Sequence, residues 1–242
     1  MNQEQRTAIV TGGGKRVGAA IVRALLADGW QVVAHVHHDG DDVPDSAVRA
    51  VADLASEDIA ARLFAAAPGP VALLVNNAAR FAEDRLGAAS GDEFDAHMAV
   101  NARAPMLLID EMARRHKGGE ALVINMLDAK LAAPNADFLS YTLSKYALAG
   151  LTEVAARALA GTGIRVNAIA PALMLRSGEQ DEANFARVHA HNPLRRGVEV
   201  DDVVAALRFL IDSPSMTGQT LGIDGGQRFM NLPRDVQYLE MK

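Results

Sequence analysis

The run Thr11-Gly12-Gly13-Gly14-Lys15-Arg16-Val17-Gly18 decides how this chain is read. Thr7–Thr11 before it is apolar and β-branched, and in Gly18–Asp28 after it apolar residues return every three or four positions. A strand that ends in a glycine cluster and opens directly into a helix is the first strand-to-helix junction of a parallel sheet. Glycine tolerates positive φ and lets the backbone approach a ligand, while the helix N-terminus favours negative charge. The stretch reads as a dinucleotide turn, with Thr11, Gly12, Gly14, Lys15, Arg16, Val17 and Gly18 as cofactor contacts. A tight turn without a ligand is the plain alternative, and Lys15 and Arg16 are then solvated surface charges.

The same alternation extends outward. Short apolar runs recur at Gln31–Val36, Val71–Asn76, Ala121–Asn125, Arg165–Ala170 and Thr220–Ile223, spaced for crossovers. Amphipathic segments lie between them, notably Ser90–His116, Ser140–Leu159 and Asp201–Ile211. From His37 to Asp53 the chain must leave one strand and supply another near Ala47–Ala52, with too few residues for a full helix, so a shortened crossover is expected. No linker interrupts the pattern. The expectation is one doubly wound, Rossmann-type α/β domain over residues 1–242, with a parallel sheet of about seven strands and helices on both faces.

Half of the 242 residues are hydrophobic and 22% are charged, a globular balance. The net charge of −6, with Lys and Arg scattered, gives no support to nucleic-acid binding. Without cysteine there is neither a disulfide nor a thiolate metal site, and His97, His116, His189 and His191 lack metal-ligand spacing, so no metal is expected. The first residues show no signal-peptide pattern and no apolar run is long enough to span a membrane, which places the chain in the cytoplasm.

An acid at the end of the second strand pairs with a ribose 2′-hydroxyl and repels a 2′-phosphate. None occurs in Ala34-His35-Val36-His37-His38, and Lys15, Arg16, His37 and His38 suit the additional phosphate of NADP(H), although Asp39, Asp41 and Asp42 weigh the other way. Tyr141 and Lys145 stand at i and i+4, on one face of the helix that begins near Ser140. A lysine so placed can lower the tyrosine pKa and reach a nicotinamide ribose, leaving the phenol to donate a proton as hydride arrives. Such a pair alone is a weak signal; a solvated helix face contains many.

The order of these parts resembles the short-chain dehydrogenase/reductase family along almost the whole chain. The glycine turn is followed by Asp53-Leu54, which the resemblance places beside adenine, and by Asn76-Asn77-Ala78 after a central strand. Asn101, then Asp128 where most members carry serine, then Tyr141 and Lys145 follow, with Pro171 and Asp224-Gly225-Gly226 as later landmarks. The resemblance implies that Tyr141 is the general acid, that Lys145 lowers its pKa and holds ribose, and that Asn101 anchors a water in a proton relay. On spacing alone Asn101 is a helix-kinking polar residue and Asp53 a strand-end cap. The family also implies a homo-oligomer, dimer or tetramer, paired through the Asn101 and Tyr141 helices.

Two departures narrow the resemblance to the pteridine reductase branch: Arg16 in place of the second motif glycine, and Asp128 in place of serine. Asn125-Met126-Leu127-Asp128 and His35-Val36-His37 are similar to that branch, and Phe81 falls where the branch stacks an aromatic ring on the substrate. The branch implies a small-molecule substrate, a pterin, reduced by NADPH at a C=N bond, with Arg16, Phe81, Asp128, Tyr141, Met174 and Leu175 contacting it. Residues 173–192 are expected as a substrate loop, with Met174, Leu175 and Arg176 forming a lid. The competing readings are a carbonyl reductase of the same fold and a dinucleotide-sensing binding protein; the second is disfavoured by the presence of both Tyr141 and Lys145.

Overall fold

Seven strands form one sheet in which every neighbouring pair is parallel: β1 (Thr7–Val10), β2 (Gln31–Val36), β3 (Val48–Val51), β4 (Val71–Asn76), β5 (Ala121–Met126), β6 (Ile164–Pro171) and β7 (Thr220–Ile223). Their order is β3-β2-β1-β4-β5-β6-β7. The structure, a computed structural model, describes residues 6–176 and 180–239. β1 and β5 are buried throughout, as expected for strands covered on both faces, whereas the edge strands β3 and β7 are only four residues long and largely solvent-facing.

Alternate residues of each strand feed two cores. Ala8 and Val10 of β1 pack with Ile21, Val22 and Leu25 of α1 (Arg16–Ala27) and Leu207 and Leu210 of α7 (Val200–Ile211). Ile9 of β1 packs on the other face with Leu63 of α2 (Ile59–Ala65), Leu108 and Met112 of α4 (Ala104–Arg115) and Ala155 of α5 (Leu139–Leu159). Strand order reverses between β1 and β4, which opens a crevice outside the carboxyl ends of the strands, the place where open α/β sheets bind ligands.

The β2–β3 connection contains no helix, as its length requires. Three elements differ from the pattern read off the chain. Ser90–His116 is not one helix: α3 (Gly91–Met98) passes through a π-helical turn, Ala99–Arg103, into α4. Pro105 in the first turn of α4 has no N–H to give the carbonyl four residues earlier, that of Asn101, so the α-helical ladder is broken there. α2 is a seven-residue helix with no counterpart in the predicted elements, and α6 (Glu182–His189) forms within the expected 173–192 loop, of which residues 177–179 lie outside those described.

Gly18 packs directly on the glycine turn. A Cβ there would stand 2.0 Å from the Gly12 carbonyl oxygen and 2.6 Å from the Asn77 amide nitrogen, both within the strand-to-helix junction. Gly18→Ala is therefore expected to lower unfolding free energy by about 1–3 kcal/mol, the cost of overpacking a rigid site, measured by urea titration. An unchanged midpoint would show that the turn accommodates the methyl group.

Candidate active site

The carboxyl ends of the strands open into a cleft of about 880 Å³. At one end lies the glycine turn, tied down from three sides. Gly13 N–H donates to the His35 carbonyl (2.8 Å) and Gly12 N–H to His35 Nδ1 (3.2 Å), whose other nitrogen meets the Ala52 carbonyl at 3.0 Å. Burial pushes the His35 pKa down, consistent with a neutral ring that accepts at Nδ1 and donates from Nε2. The Asn77 amide donates to the carbonyls of Thr11 (2.9 Å) and Gly12 (3.3 Å).

Thr11 does not reach the cleft, contrary to the expected cofactor contact. It is buried, and its hydroxyl oxygen accepts the N–H groups of Asn77 (3.0 Å) and Ala78 (3.1 Å), bracing the turn from behind. Gly12, Gly14, Val17 and Gly18 line the cleft as read, as do Asn77 and Ala78. Lys15 is the N-cap of α1 but offers its N–H groups no side-chain acceptor, and the first turn carries no acid. Exposed Lys15, Arg16, His37 and His38 stand on the adjoining wall with Asp41, and Asp53 and Leu54 complete it. Backbone N–H donors, cations and close glycine backbone suit the phosphates of a dinucleotide. Arg16 adopts a φ of 53° and donates to the Arg176 carbonyl (2.9 Å), which ties the start of the 173–192 segment to the glycine turn.

The candidate catalytic side chains lie where β5 ends and α5 begins. The Tyr141 hydroxyl donates to Asp128 Oδ2 at 2.9 Å, while Asp128 Oδ1 accepts the Lys130 N–H at 2.8 Å. Lys145 Nζ donates to the Met126 carbonyl at 2.6 Å and lies 5.7 Å from the centroid of the Tyr141 ring. Burial pushes Lys145 down to about 8, the Asp128 charge opposing it. Tyr141 is raised well above its ordinary value, first by burial and then by Asp128. The expected lowering of Tyr141 by Lys145 is thus not present in this state. A buried phenol that donates to a carboxylate keeps its proton and is equipped to act as an acid.

Asn101 also stops short of the cleft surface. Its amide oxygen accepts the Arg80 N–H (2.7 Å), and its nitrogen donates to the Arg80 carbonyl (2.9 Å) and the Ser144 hydroxyl (2.9 Å), so it clamps the loop carrying Phe81 onto α5. Phe81 lines the cleft, meeting Tyr141 edge-on (centroids 4.7 Å apart) and stacking on Phe138 (4.3 Å). Pro171, Met174 and Leu175 also line the cleft. Asp84, from the Phe81 loop, accepts the Ser140 N–H at 2.9 Å and its hydroxyl proton, holding the first turn of α5 one residue from Tyr141.

Sequence reasoning missed the contribution of the C-terminal segment. Gln227, Leu232, Asp235, Val236 and Gln237 line the cleft, and Tyr238 stacks over Phe138. These residues lie in irregular backbone and short 3₁₀ turns, with no periodicity to announce them. Among the described residues there is no group of three or more His, Asp or Glu that could hold a metal ion, and no helix is long and apolar enough to cross a membrane.

Comparison with known proteins agrees with this geometry. Residues 14–228 match a family model described as enoyl-(acyl carrier protein) reductase. The chain is 30% identical to pteridine reductase 1 of Leishmania tarentolae, over 90% of this chain and 95% of that protein. It is 33% identical to the L-xylulose reductase of Bos taurus, over 91% and 96%. A crystal structure of FolM alternative dihydrofolate reductase 1 from Brucella canis, complexed with NADP, superposes with a TM-score of 0.87 at 35% identity, covering 93% of this chain and 94% of that one. The glycine turn, the parallel sheet and the Tyr141–Lys145 pair at its carboxyl edge have one common explanation: the chain belongs to the short-chain dehydrogenase/reductase family.

Proposed function

We propose that this protein is an NADPH-dependent reductase that transfers hydride to a C=N bond of a pterin, of the dihydropteridine, dihydromonapterin or dihydrofolate kind, with Tyr141 as proton donor. The observation that carries the reading is the hydrogen bond between Tyr141 and Asp128. Reducing a C=N bond adds hydride to carbon and a proton to nitrogen; when the basic ring nitrogen takes its proton before the hydride arrives it carries positive charge, which an adjacent carboxylate favours. A ketone instead develops negative charge on oxygen, which a carboxylate disfavours. The names of the Leishmania and Brucella relatives support the pterin reading. The rival is a carbonyl reductase, which the L-xylulose reductase relative keeps in view.

NADPH, when bound, supplies the hydride. The glycine turn and the α1 N-terminus hold its pyrophosphate, Lys15, Arg16, His37 and His38 face its 2′-phosphate, and Asp53, Leu54, Asn77 and Ala78 enclose the adenosine side. Lys145 holds the ribose, and Pro171 supports the nicotinamide end. Phe81 offers a flat face to the pterin ring, with Met174 and Leu175 across from it. Tyr141 protonates the ring nitrogen and is resupplied through a water at the Asn101 carbonyl, the group that Pro105 cannot bond. The exposed Met106, Leu143, Tyr146 and Val154 on α4 and α5 support a homodimer or tetramer, and the absence of a membrane-spanning helix among the described residues accords with a cytoplasmic enzyme.

The deciding assay follows NADPH oxidation with a dihydropterin, dihydrofolate, a quinone and several ketones, with NADH in parallel. Selective dihydropterin turnover supports the reading; turnover of carbonyls alone, or with NADH alone, overturns it. Tyr141→Phe should cut kcat by a factor of about 10² or more while leaving NADPH affinity intact, general acid catalysis being worth about 10²–10⁴; full activity would remove the phenol from the mechanism. Asp128→Ser should lower dihydropterin kcat/KM by at least tenfold, about 1.4 kcal/mol, and narrow the gap to ketones. Lys145, pushed down to about 8, is charged below that pH and neutral above it. Dihydropterin kcat/KM should accordingly fall as pH rises through 8, and a profile flat to pH 9.5 would show that the lysine charge is not used.

A further inference from the structure

The C-terminal segment is fastened across the end of the cleft that holds Asp128 and Tyr141. Arg234 Nε donates to both oxygens of Asp137 (3.0 and 2.9 Å), and the Asp235 N–H donates to Asp137 Oδ2 at 2.7 Å. Lys130 Nζ, two residues from Asp128, reaches Asp235 Oδ2 at 3.4 Å and the Asp137 carbonyl. Tyr238 continues the stack that begins at Phe81 and runs through Phe138. The segment is thus built onto both the Phe81 side and the Asp128 side of the cleft.

This bracing places polar groups where a substituent of the substrate has to lie. Asp128 and Tyr141 mark the reacting nitrogen, and Arg16, with the glycine turn, marks the opposite end of the cleft. Asp235, Gln237, Lys130 and Asn135 line the same cleft as Asp128 and Tyr141, and Lys130 joins Asp235 to the backbone two residues from Asp128. Asp235 is near enough to this pair for its charge to be felt by Tyr141, and Asp128 acts on Asp235 in return. The Asp235 carboxylate meets Lys130 Nζ at 3.4 Å through Oδ2 and the Gln237 N–H at 3.3 Å through Oδ1; both contacts are long, each oxygen keeps a further lone pair to accept with, and the side chain is largely but not wholly enclosed. A wall of mixed donors and acceptors suits hydroxyl groups, which both give and take hydrogen bonds; a purely apolar substituent would leave these groups unpaired.

Building on the pterin reading above, we infer that Asp235 is a specificity-determining residue: its carboxylate, presented by the C-terminal segment, accepts hydrogen bonds from a polyhydroxyalkyl substituent on the ring carbon beside the reacting nitrogen. The preferred substrate is then a dihydropterin with a hydroxylated side chain. Hydroxyl-to-carboxylate bonds are among the stronger ones, and their loss is read directly as substrate preference.

The test compares kcat and KM of the wild-type enzyme and Asp235→Asn, at saturating NADPH, on 6-polyhydroxypropyl-7,8-dihydropterin and 6-methyl-7,8-dihydropterin. NADPH affinity and the thermal midpoint of each protein report on folding, and Asp235→Glu, which retains the carboxylate, serves as the rescue variant. The wild type should favour the hydroxylated substrate by about tenfold or more in kcat/KM, and Asp235→Asn should bring that ratio near unity through KM, with Asp235→Glu restoring part of it. An equal loss on both substrates, or a wild type indifferent to the hydroxyls, overturns the assignment while the pterin reading stands. Turnover of neither dihydropterin overturns both.

Discussion

The hydrogen bond from Tyr141 to Asp128 joins the carboxyl end of β5 to the first turn of α5, and the arrangement of the cleft follows from what is needed to maintain it. Asp128 is partly buried, and a carboxylate withdrawn even in part from water is best met by donors. One oxygen takes the Tyr141 hydroxyl and the other the Lys130 N–H. Tyr141 can stay opposite Asp128 only if α5 begins at a fixed point. That point is set by Asp84, which caps Ser140 from a loop far away in sequence, and by Asn101, which ties the same loop to Ser144. The loop then has little freedom left, and Phe81 is delivered to the edge of the Tyr141 ring.

The charges follow the same logic. Lys145 is buried one turn after Tyr141, and its bond to the Met126 carbonyl fixes the ammonium beneath the reacting pair. Burial lowers its pKa and raises that of Tyr141, so desolvation acts in opposite directions on a group that gains charge by protonation and one that loses it. The two changes leave the phenol protonated and the lysine close to neutrality at mildly alkaline pH.

How much of this could be read in the chain depended on whether a feature is local. The strand and helix at the glycine turn are written in consecutive residues, and Gly12, Gly14 and Gly18 sit where the motif puts them because backbone conformation is a short-range property. Side-chain direction is not. Thr11 and Asn101 belong to recognisable positions, yet both turn their polar atoms to neighbouring backbone instead of the cleft. The i, i+4 spacing put Tyr141 and Lys145 on one face but could not give the sign of the tyrosine shift, which burial and Asp128 control. Pro105 conceals the π turn, because the amphipathic pattern continues past a proline that also starts a helix well. Phe138, in left-handed backbone, and Asp235, in the C-terminal segment, carry no periodic signal; tertiary contacts alone bring them to the site.

On the proposed function, an aspartate at position 128 in place of a serine would alter the chemistry through the sign of a charge. Two unit charges 4 Å apart interact by about 4 kcal/mol at an effective dielectric constant of 20. An ionised Asp128 at such a distance would favour a ring nitrogen becoming positive by that order and penalise a carbonyl oxygen becoming negative by the same order. Each direction is worth about three decades in rate, more than a serine hydroxyl could offset with one neutral hydrogen bond of about 1 kcal/mol. Tyr141 moderates the effect, since its hydroxyl shares the carboxylate charge while the site is at rest. Under the proposed mechanism, a tyrosinate left by proton transfer would be repelled by Asp128, with Lys145 the nearby cation able to hold the pair together. On that mechanism the lysine would be needed most after proton transfer, which reconciles its small influence on Tyr141 at rest with its place one turn along the same helix.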